Sequence, residues 1–539
     1  MRRGAVDLVL GLLALTGAAV CVLRGLGPLR AGLLPGEALT PAAWELGALA
    51  LLALGLGLVA ALPPGRSLRR SLRLAALVPA LMALVPAGPA APAAPPPGEG
   101  KGPLLVLVTL DTFRADHLGR IGGAAVPVPT PALDALADQG LLFTAGVAPV
   151  PLTLPSHTAM MTGKLPDQAG VLRNGQALDP AATPVAQALA DAGWRTGAAV
   201  SSAVLSRGSG IERGFQWYDD HLAGTGLRAT SAGRLAASLG LLGQPVVERR
   251  GDRTLARALS WLEAGGGPTF LWLHLYDPHA PYDPPPPYDQ LVAADAPGLP
   301  GDPEAVRAAR LRIMRDRHLA LVPGAADLRP QIAAYKGEIA WTDHLVGRLL
   351  AALPADAAVV LAADHGESFT EHDYLLNHGD RVHEPGVRVP ILVRAPSVQA
   401  GQRIEVPVPL QAVAPTLLAL AGIPAEGSLI DLARSPPPQA LRSFAGTQRA
   451  RRILGPYQRA EVGWRQGSRK WTVDSEGTVQ GFDLSTDPGE LSPLPLSEEE
   501  RATWATRGAA ELATLRAAAE GAAVAEEQEE ALRALGYVE

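Results

Sequence analysis

The sequence predicts an α/β protein: a mostly parallel sheet flanked by helices, followed by a small antiparallel C-terminal subdomain. Three observations carry this expectation. Continuous apolar runs recur at Leu104–Leu110, Thr196–Val200, Thr269–Tyr276, Ala358–Ala363 and Val389–Val393, and such runs suit strands buried on both faces. Helical patterns fall between them, including Pro184–Ala192 and Gln331–Leu353. That alternation is the signature of a parallel sheet with crossover helices. From about Gln448 the character changes to short strand segments, Val462–Arg465, Lys470–Val473 and Thr478–Asp483, and a charged helix, Glu498–Ala518.

The elements can be justified in order. Three apolar segments open the chain, Ala5–Leu23, Pro41–Leu62 and Leu72–Ala87. The first two are long enough to cross about 30 Å of hydrocarbon. The third carries Pro79 and is shorter. Residues 1–87 therefore read as a membrane anchor of two to three transmembrane helices. A cleaved signal peptide is the competing reading of the first segment, but it leaves the second unexplained. Arg2 and Arg3 precede the first span, and Arg66, Arg69, Arg70 and Arg73 follow the second. The positive-inside rule then puts the N-terminus in the cytoplasm. Three spans deliver the rest of the chain outside, so the expected location is the cell membrane with the catalytic domain extracytoplasmic.

Residues 88–102, GPAAPAAPPPGEGKG, form a Pro/Ala-rich tether,. Residues 103–447 are the expected catalytic domain. Its first strand is Leu104–Leu110, and Thr130–Pro131 opens a helix that Gly140 ends,. Ala294–Pro330 is polar and reads as a surface excursion. Residues 448–539 form the C-terminal subdomain, closing on an amphipathic tail, Glu526–Glu539.

Composition excludes several classes. The chain has 539 residues and a formal net charge of −6; with no strongly basic domain, nucleic acid is not the expected partner. The single cysteine, Cys21, lies in the first apolar segment. It excludes intrachain disulfides, Cys-based zinc sites and a cysteine nucleophile in the catalytic domain.

Polar residues collect at predicted strand ends. Asp111 follows the first strand, and Asp364 and His365 follow Ala358–Ala363. In parallel sheets the carboxyl ends of strands share the rim where ligands bind. Two carboxylates and an imidazole there suit a divalent cation, although each Asp could simply cap the next helix. The segment Pro151–Gly163 reads as a loop entering a helix, with Thr153 just before it. A hydroxyl at a helix N-terminus beside a cation suits attack on a tetrahedral anionic ester. The alternative is that Thr153 or Ser156 is only an N-cap. Histidines cluster at His365, His372, His378 and His383, with His274 and His279 near the end of another strand. Two of these six are expected to face a bound anion. Asp343 and His344 lie inside a helix and are assigned to packing or surface.

The ordered set LVTLDTFRADHLG, TPALDALADQG, TLPSHTAMMTG, LHLYDPHAPYDPP, LAADHGESFTEH, NHGDRVHEPGVRVPILV and LRALGYVE resembles the sulfatase family of the alkaline phosphatase superfamily. The resemblance spans about residues 103–539 and implies an alkaline-phosphatase-like core. It implies that Asp111 and Asp364 hold a metal ion, with His365 where many sulfatases carry an amide. Thr112 stands where a second aspartate is usual. Thr153 occupies the position converted to formylglycine, and His157 the position of the motif arginine. His279 matches an active-site histidine. His378 falls where many members have a lysine, and Asn174 resembles a substrate-contacting asparagine of phosphonate monoester hydrolases. Ser201, Ser202 and Ala203 replace the expected lysine–x–histidine.

Threonine carries a methyl on the carbon that would become the aldehyde, so no formylglycine is expected. The set Asp111, Thr153, Asp364 and His365 resembles that of membrane-anchored, threonine-nucleophile phosphotransferases. The expectation is a bacterial, metal-dependent hydrolase or transferase of sulfate or phosphate esters. Thr153 would be the nucleophile and metal ligand, and His157, Asn174, His279 and His378 would assist. One divalent cation is expected: calcium, magnesium, manganese or zinc. A two-cation version would add Asp277, His279 and His378. The expected partners are an anionic ester, from an envelope glycan or lipid head group, and the membrane. The rival reading is a catalytically silent binding module of the cell envelope.

Overall fold

The computed structural model describes residues 101–123, 128–222, 247–290, 328–369, 371–374, 376–437, 439–445 and 460–521. The anchor at 1–87, nearly all of the tether at 88–102, the excursion at 294–330 but for its end, and the tail at 526–539 lie outside them. Among the described residues no helix is long and apolar enough to cross a membrane.

The strands of the large sheet are β1 Lys101–Leu110, β2 Leu141–Val147, β3 Arg195–Ala199, β4 Trp217–Asp219, β5 Gly267–Leu275, β6 Ala358–Ala363, β7 Arg388–Arg394, β8 Gln402–Ile404 and β9 Val408–Pro409. They lie in the order β4-β3-β5-β1-β6-β7-β2-β8, with β9 beside β2. All neighbours are parallel except β7, which runs antiparallel to both β6 and β2. β1 lies between β5 and β6, and its central residues Val106, Leu107 and Val108 are fully buried. That is why its sequence is continuous rather than alternating.

The helices used below are α1 Pro131–Asp138, α2 Thr153–Thr162, α3 Val185–Asp191, α4 Gly251–Glu263, α5 Arg329–Ala352, α6 Val413–Leu420 and α7 Glu498–Gly521. Asp343, expected as packing or surface, has a specific task on α5. Its carboxylate accepts the Ala132 and Leu133 amides at 3.2 and 2.8 Å, capping the start of α1,.

The small sheet is antiparallel, in the order β10-β11-β12-β13. Its strands are Leu441–Ala445, Glu461–Gln466, Arg469–Asp474 and Val479–Asp483. β10 lies before residue 448, so this sheet begins upstream of the change in sequence character. β10 also reaches the large-sheet side: the Phe444 amide donates to Pro149 O at 2.9 Å and the Ser443 hydroxyl to Ala148 O at 2.7 Å. Val150, Leu152 and Leu172 share a core with Phe444, Val462, Trp464 and Leu515. The segment leading into α2 is thus packed on the small sheet.

Candidate active site

The rim is built by the last residues of β1 and β6. The Asp111 amide donates to Leu275 O at 3.0 Å and the Asp364 amide to Leu110 O at 3.2 Å. Both aspartates therefore continue the sheet by one step. Asp364 Oδ1 accepts the Thr112 and His365 amides at 3.2 and 2.6 Å. Thr112 holds the left-handed conformation, φ 52°, in which a β-branched residue is strained. Tyr335 clamps it there, its hydroxyl donating to Thr112 O at 2.7 Å and accepting the Arg114 amide at 2.9 Å.

Asp111, Asp364 and His365 are completely buried, and one ligand atom from each lies within 4.8 Å of the others. His365 Nδ1–H donates to Gly366 O at 2.9 Å, which leaves the lone pair on Nε2. That nitrogen faces Asp364 Oδ2 at 3.5 Å and Asp111 Oδ1 at 3.9 Å. Among the described residues, both Asp111 oxygens, Asp364 Oδ2 and His365 Nε2 accept no hydrogen bond of normal length. An acceptor-rich group of this kind in a buried site is a donor set that could hold a cation,. Burial, reinforced by the Asp111 charge, pushes the Asp364 carboxyl well up. Burial pushes His365 down to about 3, so its imidazole is neutral, as a metal ligand must be. The residues fit a divalent cation.

Thr153 is the first residue of α2, one position inside the expected boundary, and Leu152 at the N-cap offers no capping side chain. The Thr153 hydroxyl is buried and has no hydrogen-bond partner among the described residues. Ser156 is no N-cap; its hydroxyl donates to Val150 O at 2.6 Å. Asn174 Oδ1 accepts the Leu154 amide at 3.0 Å, while its Nδ2 has no partner among the described residues.

His157 lies one turn along α2 from Thr153. The Trp272 indole N–H donates to Thr109 Oγ1 at 2.9 Å, so the Thr109 hydroxyl donates to His157 Nε2 at 3.0 Å. Nδ1–H is then left to donate to Thr153 O at 2.8 Å. Burial holds this imidazole neutral.

The other histidines divide into two groups. His279 stacks on Tyr276 with ring centroids 4.3 Å apart and meets His378 edge-on at 5.1 Å; His378 lies 4.6 Å from His365. The site thus gathers Asp111, Thr153, Asp364, His365, His157, Asn174, His279 and His378. His372 and His383 stack on each other elsewhere, with ring centroids 3.7 Å apart. The expected second-cation set does not assemble. The Asp277 carboxylate accepts the Gly251 amide at 3.1 Å and the Trp341 indole at 2.8 Å. Among the described residues, Asp277, His279 and His378 do not converge as a donor group.

Two contributors, Glu367 and Glu248, are not singled out by the sequence, and His274 figures there only as one of a pair. His274 Nδ1 accepts the Ser201 amide at 3.3 Å, which directs its Nε2–H toward Asp111 Oδ2 at 3.4 Å. Glu367 is buried and pairs with His378 Nδ1 at 3.3 Å, and Tyr282 donates to it at 3.3 Å. The place of Glu367, three residues after Asp364, was a signal available in the sequence. Glu248 is pushed up to about 7 by burial, with Asp277 and Asp111 adding to the shift. In place of the expected lysine and histidine, Ser201 donates to His274 O at 2.9 Å.

The model of the family described as Sulfatase matches residues 103–423. The chain is 27% identical over 510 residues to the steryl-sulfatase of Mus musculus, covering 74% of this chain and 79% of that protein. It is 24% identical over 427 residues to an ulvan-active sulfatase of Formosa agariphila, covering 73% and 77%. Among solved structures it is similar to a phosphonate monoester hydrolase from Silicibacter pomeroyi. That match has a TM-score of 0.58 at 19% identity, over 79% of this chain and 99% of the other.

Proposed function

The chain belongs to the sulfatase family, and from that premise we propose that it cleaves sulfate or phosphorus esters with Thr153 as nucleophile. The observation that carries this reading is the buried set of unpartnered acceptors, Asp111, Asp364 and His365, on the rim that His157 shares with the start of α2. Asp111, Asp364 and His365 would hold a divalent cation, which supplies Lewis-acid charge for an anionic ester.

The remaining steps belong to the chain. Thr153 Oγ1 forms the bond to sulfur or phosphorus as the ester oxygen leaves, and its proton passes to water. Asn174 fixes the α2 N-terminus through the Leu154 amide and has an amide N–H₂ to offer the ester. His279 Nδ1 donates to Ala280 O at 2.6 Å, and burial pushes this imidazole down to about 4. Its neutral form therefore carries the lone pair on Nε2. An anionic ester favours proton uptake there, and the imidazolium can then protonate the leaving oxygen. Glu367 orients His378 for the same face. Water then cleaves the Thr153 ester; an acceptor alcohol in its place would make the enzyme a transferase.

The proposal includes the anchor at 1–87 and an extracytoplasmic catalytic domain, so that the ester is part of an envelope glycan or lipid head group. The test uses the full chain in detergent, loaded with a divalent cation. Aryl sulfate, phosphate monoester, phosphodiester and phosphonate ester are assayed side by side with wild type and Thr153→Ala. Turnover that disappears in Thr153→Ala supports the reading, and so does loss of turnover with a chelator. Turnover that survives in Thr153→Ala overturns the nucleophile. Metal binding with no turnover of any ester and no labelling of Thr153 favours the binding module.

A further inference from the structure

A second donor cluster lies away from the rim. His372 and His383 stack with ring planes 15° apart. Together with Glu490 they present ligand atoms that all lie within 4.8 Å of one another. His383 is 5% exposed and Glu490 2%. The Gly489 carbonyl accepts a hydrogen bond from the His372 ring, so the lone pair falls on His372 Nε2. That atom and His383 Nδ1 are buried and have no hydrogen-bond partner among the described residues.

Two stacked neutral imidazoles, each with a buried nitrogen lacking a partner among the described residues, are costly to leave so,. His372 and Glu490 also both hold the left-handed conformation, φ 57° and 56°. Neither is glycine, and such strain persists only where something else determines the geometry. Glu490 is already engaged. Its Oε2 accepts the Glu384 amide at 2.6 Å, and Oε1 faces Lys470 Nζ at 2.7 Å. Lys470 also reaches Glu384 at 3.0 Å. The ammonium thus serves the carboxylates but leaves the imidazole nitrogens unpaired.

We propose that His372, His383 and Glu490 form a second cation site, distinct from the rim, for a borderline divalent ion of the zinc type. Two imidazoles and one carboxylate are a zinc-type donor set, and the fourth position is left for water. The ion would tie the loop between β13 and α7 to both ends of the His372–His383 segment. That segment carries His378, so filling this site would fix the loop that delivers His378 to the rim. The inference does not depend on which ester is cleaved.

The test reads metal content, not turnover. The full chain carrying Asp364→Asn, which disables the rim site, is stripped with a chelator and titrated with Zn²⁺ alone. One Zn²⁺ per chain and a raised unfolding temperature are expected. Adding His383→Gln should weaken that binding by about 100-fold or more. Adding His372→Gln instead, at the less buried ligand, should do the same and covers the case in which His383→Gln does not fold. With Co²⁺, visible absorption of a low-coordinate N₂O site is expected in Asp364→Asn and should be lost in either double variant. Failure of folded Asp364→Asn to bind Zn²⁺ overturns the site. So does undiminished binding in a folded His372→Gln or His383→Gln double variant.

Discussion

His157 donates its Nδ1–H to the backbone carbonyl of Thr153 from one turn further along α2, at 2.8 Å. The imidazole therefore supports the main chain of Thr153, the proposed nucleophile, and is fixed in turn by Thr109 and Trp272. At the position where the resemblance places the motif arginine, this chain holds the Thr153 carbonyl with a neutral ring.

Thr109→Val tests that relay. It leaves His157 Nε2 and the Trp272 N–H buried and unpaired, at about 1–3 kcal/mol each. The expected outcome is lower thermal stability and a fall in kcat with little change in KM. A loss confined to KM would show that the relay does not set the position of Thr153.

Thr153→Ser keeps the hydroxyl and should retain turnover, whereas Thr153→Ala should lose on the order of 10³-fold or more. Serine at this position also restores a primary alcohol. Mass spectrometry of Thr153→Ser, produced with a formylglycine-generating system, checks whether the surrounding sequence can still be converted.

Gly366→Ala probes the residue after the proposed metal ligand His365. A Cβ there would lie 2.0 Å from Pro385 O and 3.3 Å from Arg114 Cγ. Backbone cannot yield as a flexible side chain can, so about 1–3 kcal/mol of destabilisation is expected. Because His365 donates to Gly366 O, rim metal affinity should fall as well. Calorimetric titration with Mn²⁺ and a denaturation curve read the two effects.

Asp116 supplies a pH prediction away from the proposed ligands. Burial alone would raise its carboxyl, but the His117 hydrogen bond and the Arg114 guanidinium more than offset this and hold it below the usual carboxylate range. A folded-state value lower than the unfolded one stabilises the protein above the unfolded value, about 3.9. That contribution is lost as the pH falls below it. Asp116→Asn should lower stability by about 1–3 kcal/mol near neutrality and converge on wild type in acid. Urea midpoints between about pH 2 and pH 7 follow the difference, which should begin to shrink below about pH 4 and go on shrinking to the acid limit.

The rim was legible because its residues end strands. LLVLVTL stops at Asp111 and AVVLAA at Asp364, and in a parallel sheet those ends meet whatever intervenes. The strands β5 and β6 were legible for the same reason. β2, LLFTAGV, was not: it carries Ala145 and Gly146 and a register shift after Phe143, so its pattern weakens mid-strand. Gly146 is required there, since a Cβ would lie 2.6 Å from Val389 O. β10 was missed because its partner β11 begins 16 residues after it ends, beyond an intervening stretch with no strand pattern. His274 was seen only as one of a pair; its task follows from a Ser201 amide 73 residues away. Spacing along the chain cannot supply such a contact.

The hydrogen bonds from Ser443 and Phe444 to Ala148 and Pro149 bear on how this protein can change over generations. The small sheet is the floor on which the segment leading into α2 rests, so it cannot be exchanged as an independent module. A recombinant bearing a foreign C-terminal half would have to bring its own equivalents of Ser443 and Phe444 or lose the footing of α2. Substrate preference can drift through the surface loops, but the two sheets must be inherited together.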